Sequence, residues 1–324
     1  MTKSVVCSII IPMFNEEEVI HETCSRIKAV MDSTGHTYEV LLINDGSRDK
    51  TLEYAIANCK KHPEFKLISF SRNFGHQIAI SAGFDFAIGN AIVIIDADLQ
   101  DPPSVIPDML QKWQEGYEVV YGKRIKREGD SFFKKATARI FYRFMNKMTE
   151  VDMPEDVGDF RLIDRKVCDT LKQVKEKNRY IRGIISWMGF KTTSVEFVRE
   201  KRYAGKTKYP LRKMLRFAFD AITSFSYKPL KLASYMGLIL SLFSFIYLLI
   251  VIYQRLFTDT TVQGWASSLA VSLFFNGIIL IILGIFGEYI GRIYDEVKGR
   301  PLYIVSYTEN MDLSHQKDLC PSKD

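Results

Sequence analysis

The chain has 324 residues, 47% of them hydrophobic, and a net charge of +6, which suits one large domain or two modest ones. Ten Lys/Arg lie between Arg199 and Lys231 against only Glu200 and Asp220, whereas Leu232–Phe286 carries only Arg255 and Asp259. This split excludes a uniformly soluble chain, and with no recognisable nucleic-acid module the basic block suits an anionic membrane surface or a phosphorylated ligand rather than nucleic acid. The cysteines (Cys7, Cys24, Cys59, Cys168, Cys320) are odd in number and scattered, and read as reduced thiols of a cytosol-facing domain without a zinc or redox role.

The first hundred residues alternate β-branched runs with amphipathic patterns. Val5–Ile11, Tyr38–Asn44, Phe65–Phe70 and Ala91–Asp96 are predicted strands; Glu17–Met31, Lys50–Lys61 and His76–Ile88 are predicted helices. Val5–Ile11 is too short for a signal peptide and leads into a charged turn. The alternation predicts an α/β fold, a mainly parallel sheet with helices on both faces, whose ligands sit at the carboxyl ends of the strands. A helix over Ser104–Glu115 and a strand over Glu118–Tyr121 follow.

Residues 131–147 set Phe133, Ala136, Ile140 and Phe144 on one helical stripe among basic residues that include Lys135 and Arg139. This fits either a surface helix packed on the core or a helix at the bilayer interface, and the apolar segments farther on favour the membrane. Leu232–Tyr253 and Trp265–Phe286 each lack charge and are long enough to cross a bilayer. Lys228 and Lys231 before the pair, and Arg292, Lys298 and Arg300 after it, outnumber Arg255 in the connecting loop. The positive-inside bias then predicts a two-span membrane protein with both termini and the large domain in the cytoplasm. The expected organisation is a domain over 1–210, a basic juxtamembrane segment over 211–231, two spans within 232–290 (about 232–253 and 265–287), and a cytoplasmic tail over 291–324.

The strongest chemical feature is Ile94-Ile95-Asp96-Ala97-Asp98-Leu99-Gln100-Asp101. On an extended chain Asp96 and Asp98 point to one side and Gln100 continues the alternation, giving three hard oxygen donors suited to Mg²⁺ or Mn²⁺. Such an ion neutralises charge building on a departing diphosphate without a proton donor. Asp45, after the second strand, offers a carboxylate to a base or ribose, and Phe14 a ring to pack on the base, although Asn44-Asp45-Gly46 also reads as a turn in its own right. Neither a Rossmann glycine fingerprint nor a P-loop is present.

Taken in order, Ile11-Pro12-Met13-Phe14-Asn15-Glu16-Glu17, Asn44-Asp45-Gly46-Ser47, Ser71-Arg72-Asn73-Phe74-Gly75, Asp96–Pro103, Val157-Gly158-Asp159-Phe160-Arg161-Leu162 and Arg202-Tyr203-Ala204-Gly205-Lys206-Thr207-Lys208-Tyr209 resemble the family 2 glycosyltransferases of GT-A fold. Within them the chain is most similar to polyprenyl-phosphate hexosyltransferases, the group of bactoprenol glucosyltransferases and dolichol-phosphate mannose synthases. The resemblance implies a nucleotide site of Pro12, Phe14, Asn15, Glu16, Asp45, Asp96 and Ala97, and a metal site of Asp96, Asp98 and Gln100. It makes Asp159 the candidate catalytic base, although an acceptor phosphate already ionised near pH 7 needs little deprotonation. Arg124, Lys135, Arg139, Arg202, Lys206 and Lys208 would hold acceptor and donor phosphates. The reaction implied is inverting transfer of a hexose from a UDP-sugar, glucose first, to undecaprenyl or another polyprenyl phosphate for cell-envelope glycosylation. UDP-N-acetylglucosamine and GDP-mannose are the alternative donors, and a homo-oligomer is compatible with the reading. Thr207 stands where the family more often has Ser, and the Q-x-x-R-W motif of processive members is absent, which implies one sugar per turnover. A non-catalytic nucleotide-sugar sensor is the competing class, against which the intact Asp96, Asp98 and Asp159 argue.

Overall fold

A computed structural model describes residues 6–125, 157–199, 228–257 and 264–311. The expected features over 131–147, including Lys135 and Arg139, and at Arg202, Lys206 and Lys208 lie outside them. The chain divides into two compact units: one holds the residues up to Met214, apart from Lys147–Glu150, and resumes at Arg300; the other is built mainly from Leu215–Gly299.

The first unit is an eight-stranded mixed sheet. Strands β1 (Cys7–Met13), β2 (Tyr38–Asn44), β3 (Phe65–Phe70) and β4 (Ala91–Ile94) form its parallel centre, with helices α1 (Ile20–Thr34), α2 (Thr51–Lys61) and α3 (His76–Phe86) between them. A 3₁₀ turn over Pro103–Val105 and helix α4 (Ile106–Gln114) lead to β5 (Val119–Arg124). Beyond lie β6 (Val157–Asp164), α5 (Arg165–Gln173), α6 (Ile181–Trp187), β7 (Thr192–Phe197) and, near the C-terminus, β8 (Val305–Glu309). The strand order is β7-β5-β6-β4-β1-β2-β3-β8, with β6 antiparallel to β4 and β5, and β8 antiparallel to β3.

Sequence explains the centre. The strands Ser8-Ile9-Ile10-Ile11 and Val40-Leu41-Leu42-Ile43 are fully buried, as expected for β-branched runs covered on both faces. Helix α1 buries Ile20, Thr23, Cys24, Ile27 and Met31, a three–four spacing that lays one stripe on the sheet. On the other face α3 approaches β1 so closely that a Cβ on Gly83 would fall 2.3 Å from Ile10 Cγ2. Pro12 is tolerated inside a central strand because it lies beyond the last β1–β4 pair, Ile10–Ile94, where no ladder bond is lost. Cys7, Cys24, Cys59 and Cys168 are buried thiols, and burial pushes the first three up to about 12 and Cys168 up to about 11.

Two expectations are corrected. The strand read as Ala91–Asp96 stops at Ile94, so Asp96 and Asp98 stand in the following turn, where Leu99 takes the left-handed φ of 57°. The segment read within a cytoplasmic tail instead contributes an edge strand. Tyr303 stacks on Phe70 at 5.0 Å and donates to Asp85 Oδ2 at 2.9 Å, while Asn310 Nδ2 donates to the carbonyls of Cys59 and Phe65.

The second unit contains two long apolar helices, α7 (Lys228–Phe257) and α8 (Trp265–Val297), which touch one another. Lys228–Tyr247 and Phe274–Val297 are apolar and long enough to cross a membrane. Leu238, Phe243, Phe274 and Leu280 are largely exposed, a surface that water disfavours and hydrocarbon accepts.

Candidate active site

Strand order decides where a ligand crevice opens. From β1 the chain moves outward through β2 and β3, then returns to place β4 on β1's other side. The carboxyl ends of β1 and β4 therefore flank a topological switch point, where open α/β sheets bind ligands. Pro12–Glu16 and Asp96–Gln100 occupy those ends.

The loops at this edge are tied together by polar bonds. The backbone of Asn15 donates to Ser47 Oγ at 3.0 Å, that of Glu16 to Thr51 Oγ1 at 2.8 Å, and Asn15 Oδ1 accepts from the Arg48 amide at 2.8 Å. Asp45 accepts from the amides of Phe74 at 2.6 Å and Gly75 at 3.0 Å, binding the β2 turn to the loop after β3. Burial raises the Asp45 carboxyl despite those amides. Asp45 is thus a brace as well as a nucleotide candidate. Gly46 is obligatory there: its φ is 65°, and a Cβ would fall 2.4 Å from the Arg72 carbonyl carbon. Phe14 is half-buried.

In the Asp96–Asp101 turn Asp98 and Asp101 are buried, and Asp96 is partly exposed. Asp98 Oδ1 caps the turn by accepting from the Gln100 amide at 3.1 Å, and the Ala97 carbonyl accepts from Thr23 Oγ1 at 2.7 Å. Asp96 Oδ1 is buried without a hydrogen-bond partner among the described residues. Burial, against the pull of His76, and the nearby charges of Asp159, Asp101 and Asp98 push Asp96 up to about 6. Among the described residues His76 is its only close cationic neighbour and Oδ1 lacks a hydrogen bond, so Asp96 is a carboxylate of the kind that fits a divalent ion. Among the described residues no group of three or more His, Cys, Asp or Glu is arranged to hold a metal ion.

Asp159, at the start of β6, is almost fully buried among donors. Arg182 on α6 grips it with both arms, Nε to Oδ1 at 2.8 Å and Nη2 to Oδ2 at 3.1 Å. Arg161 Nη2 stands 3.4 Å from Oδ1, and His76 Nε2 and Gln77 Nε2 stand 3.3 and 3.4 Å from Oδ2. Burial alone would raise Asp159, but Arg182, His76 and Arg161 overcome it and hold the carboxyl well below the usual range. His76 Nε2 also lies 3.6 Å from Asp96 Oδ1, and although burial opposes its charge the two carboxylates raise it to about 9. His76 links the metal-type turn to the Asp159 cluster. His76, Gln77 and Arg182 were not singled out as donors in the sequence; Arg182 lies 23 residues from Asp159, and no local spacing reveals the pairing. Arg124 is placed beside Asp101, its Nη2 donating to Oδ2 at 3.1 Å.

Comparison with known proteins gives this geometry a family. Residues 8–172 match the family described as Glycosyl transferase family 2. An uncharacterized glycosyltransferase of Bacillus subtilis, YkcC, is 59% identical over 94% of this chain and 94% of its own. A prophage bactoprenol glucosyl transferase homolog of Escherichia coli is 42% identical over 92% and 97%, and the bactoprenol glucosyl transferase of Shigella phage SfII 42% over 92% and 96%. Among solved structures, glucosyl-3-phosphoglycerate synthase of Mycobacterium tuberculosis with Mn²⁺ and UDP overlays at a TM-score of 0.45 and 17% identity over 68% and 78% of the two chains, too slight a likeness to bear on function. The chain is a glycosyltransferase and belongs to glycosyl transferase family 2.

Proposed function

We propose that the protein transfers a hexose, glucose first, from a UDP-sugar to polyprenyl phosphate at a membrane surface, with inversion. The observation that carries the reading is Asp96 Oδ1, buried without a hydrogen bond among the described residues and 3.6 Å from His76 Nε2, beside Asp98 at the β1–β4 switch point. The bactoprenol glucosyl transferases at 42% identity supply the acceptor class, and the two apolar helices supply a means of meeting a lipid.

In this reading a phosphate oxygen of the acceptor attacks the anomeric carbon, the bond to the diphosphate breaks, and the nucleotide diphosphate departs. Asp96 and Asp98, with the Gln100 amide, would hold Mg²⁺ or Mn²⁺, which neutralises charge on the departing diphosphate. Pro12, Phe14, Asn15, Glu16, Asp45 and Ala97 line the edge that takes the nucleotide. Asp159 acts by orientation. With Arg182, Arg161, His76 and Gln77 around it and its carboxyl held well below the usual range, it is a poor proton acceptor. The acceptor has little need of one, since a phosphate monoester with a second pKa of about 6 is mostly dianionic near pH 7.

Connectivity supports a two-span membrane topology. The first unit leads into α7, and the chain after α8 re-enters the same sheet as β8. If both helices cross, both ends of the pair lie on the side of the catalytic unit, which the basic residues flanking the pair also favour. Screening UDP-glucose, UDP-N-acetylglucosamine and GDP-mannose against undecaprenyl phosphate tests the reading. Labelled lipid with UDP-glucose is the expected result. Binding of nucleotide-sugar with no lipid labelled by any donor would favour a sensor.

A further inference from the structure

Three elements meet on one buried carboxylate beside the proposed metal turn. Asp101 is essentially inaccessible, and its Oδ2 accepts from Arg124 Nη2 at 3.1 Å. Arg124 closes β5, and β7 runs parallel to it in a register that pairs Arg124 with Phe197. Arg199, two residues farther on, thereby reaches the same carboxylate, its Nε 3.8 Å from Asp101 Oδ1. From the third side comes Gly158 of β6: a Cβ there would lie 2.5 Å from Arg124 Nη2 and 3.0 Å from Cζ. The space a side chain would fill is occupied by the guanidinium.

The charges do not close on themselves. Two guanidinium groups share one carboxylate, and Nε of Arg124, Nε of Arg199 and Oδ1 of Asp101 are all buried without a hydrogen-bond partner among the described residues. Each arginine side chain retains more than a quarter of its exposure, so the pair reaches the surface while Asp101 does not. Burial and the like charge of Arg124 hold Arg199 below its usual range, against the pull of Asp101, Asp98 and Asp96. An oxyanion entering between the arginines relieves that repulsion and gains two forked donors, the geometry in which arginine binds phosphate.

Resting on the transferase reading above, in which Arg124 already faces the acceptor phosphate, we infer that Arg199 is a second arm of that seat and that Asp101 and Gly158 are positioning residues that set the two arginines. Gly158 gives Arg124 room, Asp101 hydrogen-bonds Arg124 and draws Arg199 by charge, and neither positioning residue touches substrate. The Gly-Asp pair at the start of β6 then serves two arginines, Gly158 admitting Arg124 and Asp159 clamping Arg182.

The test uses the full chain in detergent. For Gly158→Ala, Asp101→Asn and Arg199→Gln, KM for polyprenyl phosphate rises roughly 10- to 100-fold, the value of a lost charge-assisted contact, while UDP affinity by calorimetry stays within about twofold. Arg199→Lys recovers part of the loss. Inorganic phosphate, titrated as the probe, binds wild type and weakens roughly tenfold in Arg199→Gln, a partly exposed site where folding is not at stake. Parallel loss of UDP affinity, which would assign the arginines to the donor diphosphate, overturns the proposal, as does an unchanged phosphate affinity in folded Arg199→Gln. Wild type that binds phosphate and UDP yet labels no lipid would defeat the transferase reading and leave the seat standing.

Discussion

At the scale of single residues, the site divides into groups that face substrate and groups that hold them. In the proposed reading Asp159 is of the second kind, and its carboxylate is ringed by Arg182, Arg161, His76 and Gln77. Asp159→Asn is expected to lose most activity by releasing Arg182, with the ratio of mutant to wild-type rate constant from pH 6 to pH 9. A deficit that shrinks as pH rises and the acceptor completes its ionisation would indicate base catalysis instead. Gly46 makes a sharper structural prediction. Gly46→Ala meets both a left-handed backbone and the Arg72 carbonyl carbon at 2.4 Å. It should cost at least about 2 kcal/mol, lower the melting temperature and weaken UDP binding, since the brace between Asp45 and the Phe74–Gly75 amides cannot close. The sequence announced the acidic turn through its apolar run and paired aspartates. It could not announce Arg182 or the pairing of Asp101 with Arg199, because those contacts depend on how β5, β6 and β7 align.

At the scale of elements, the parallel centre was legible because fully buried strands are continuous β-branched runs; Tyr38–Asn44 and Phe65–Phe70 form over the residues that composition marks. The acidic strand was read two residues too long because Ile95 is as apolar as Ile94, and only the φ of Leu99 reveals the turn. β8 was missed for a different reason. Val305-Ser306-Tyr307-Thr308-Glu309 is half polar, as an edge strand with one side toward water must be, and follows a long helix rather than a neighbouring strand. Its role is open to test. Tyr303→Ala removes a ring stacked on Phe70 and the donor to Asp85, and should cost about 2–4 kcal/mol, seen as a melting temperature lower by several degrees. An unchanged melting temperature would mean that the C-terminal segment does not hold the sheet.

At the scale of the whole molecule, the covalent path carries the argument. The catalytic sheet is interrupted by an apolar helix pair and completed after it, so an odd number of crossings is incompatible with β8 pairing to β3. A cysteine placed at residues 258–263 is expected to react with an impermeant maleimide from outside intact cells, whereas one placed at Lys298 is protected; the reverse pattern would overturn the topology. If it spans a bilayer, the helix pair also confines enzyme and lipid to one surface, which raises their effective concentration. The central claim, that this family 2 enzyme delivers its sugar to a lipid phosphate with a divalent ion at Asp96 and Asp98, comes down to one measurement. Full-length protein in vesicles containing undecaprenyl phosphate is given radiolabelled UDP-glucose, with Mn²⁺ or with excess chelator, alongside Asp98→Asn. Labelled lipid should form with Mn²⁺ and fall at least about a hundredfold in chelator and in the variant, the scale of several kcal/mol of lost charge stabilisation. Undiminished labelling in both would contradict the account.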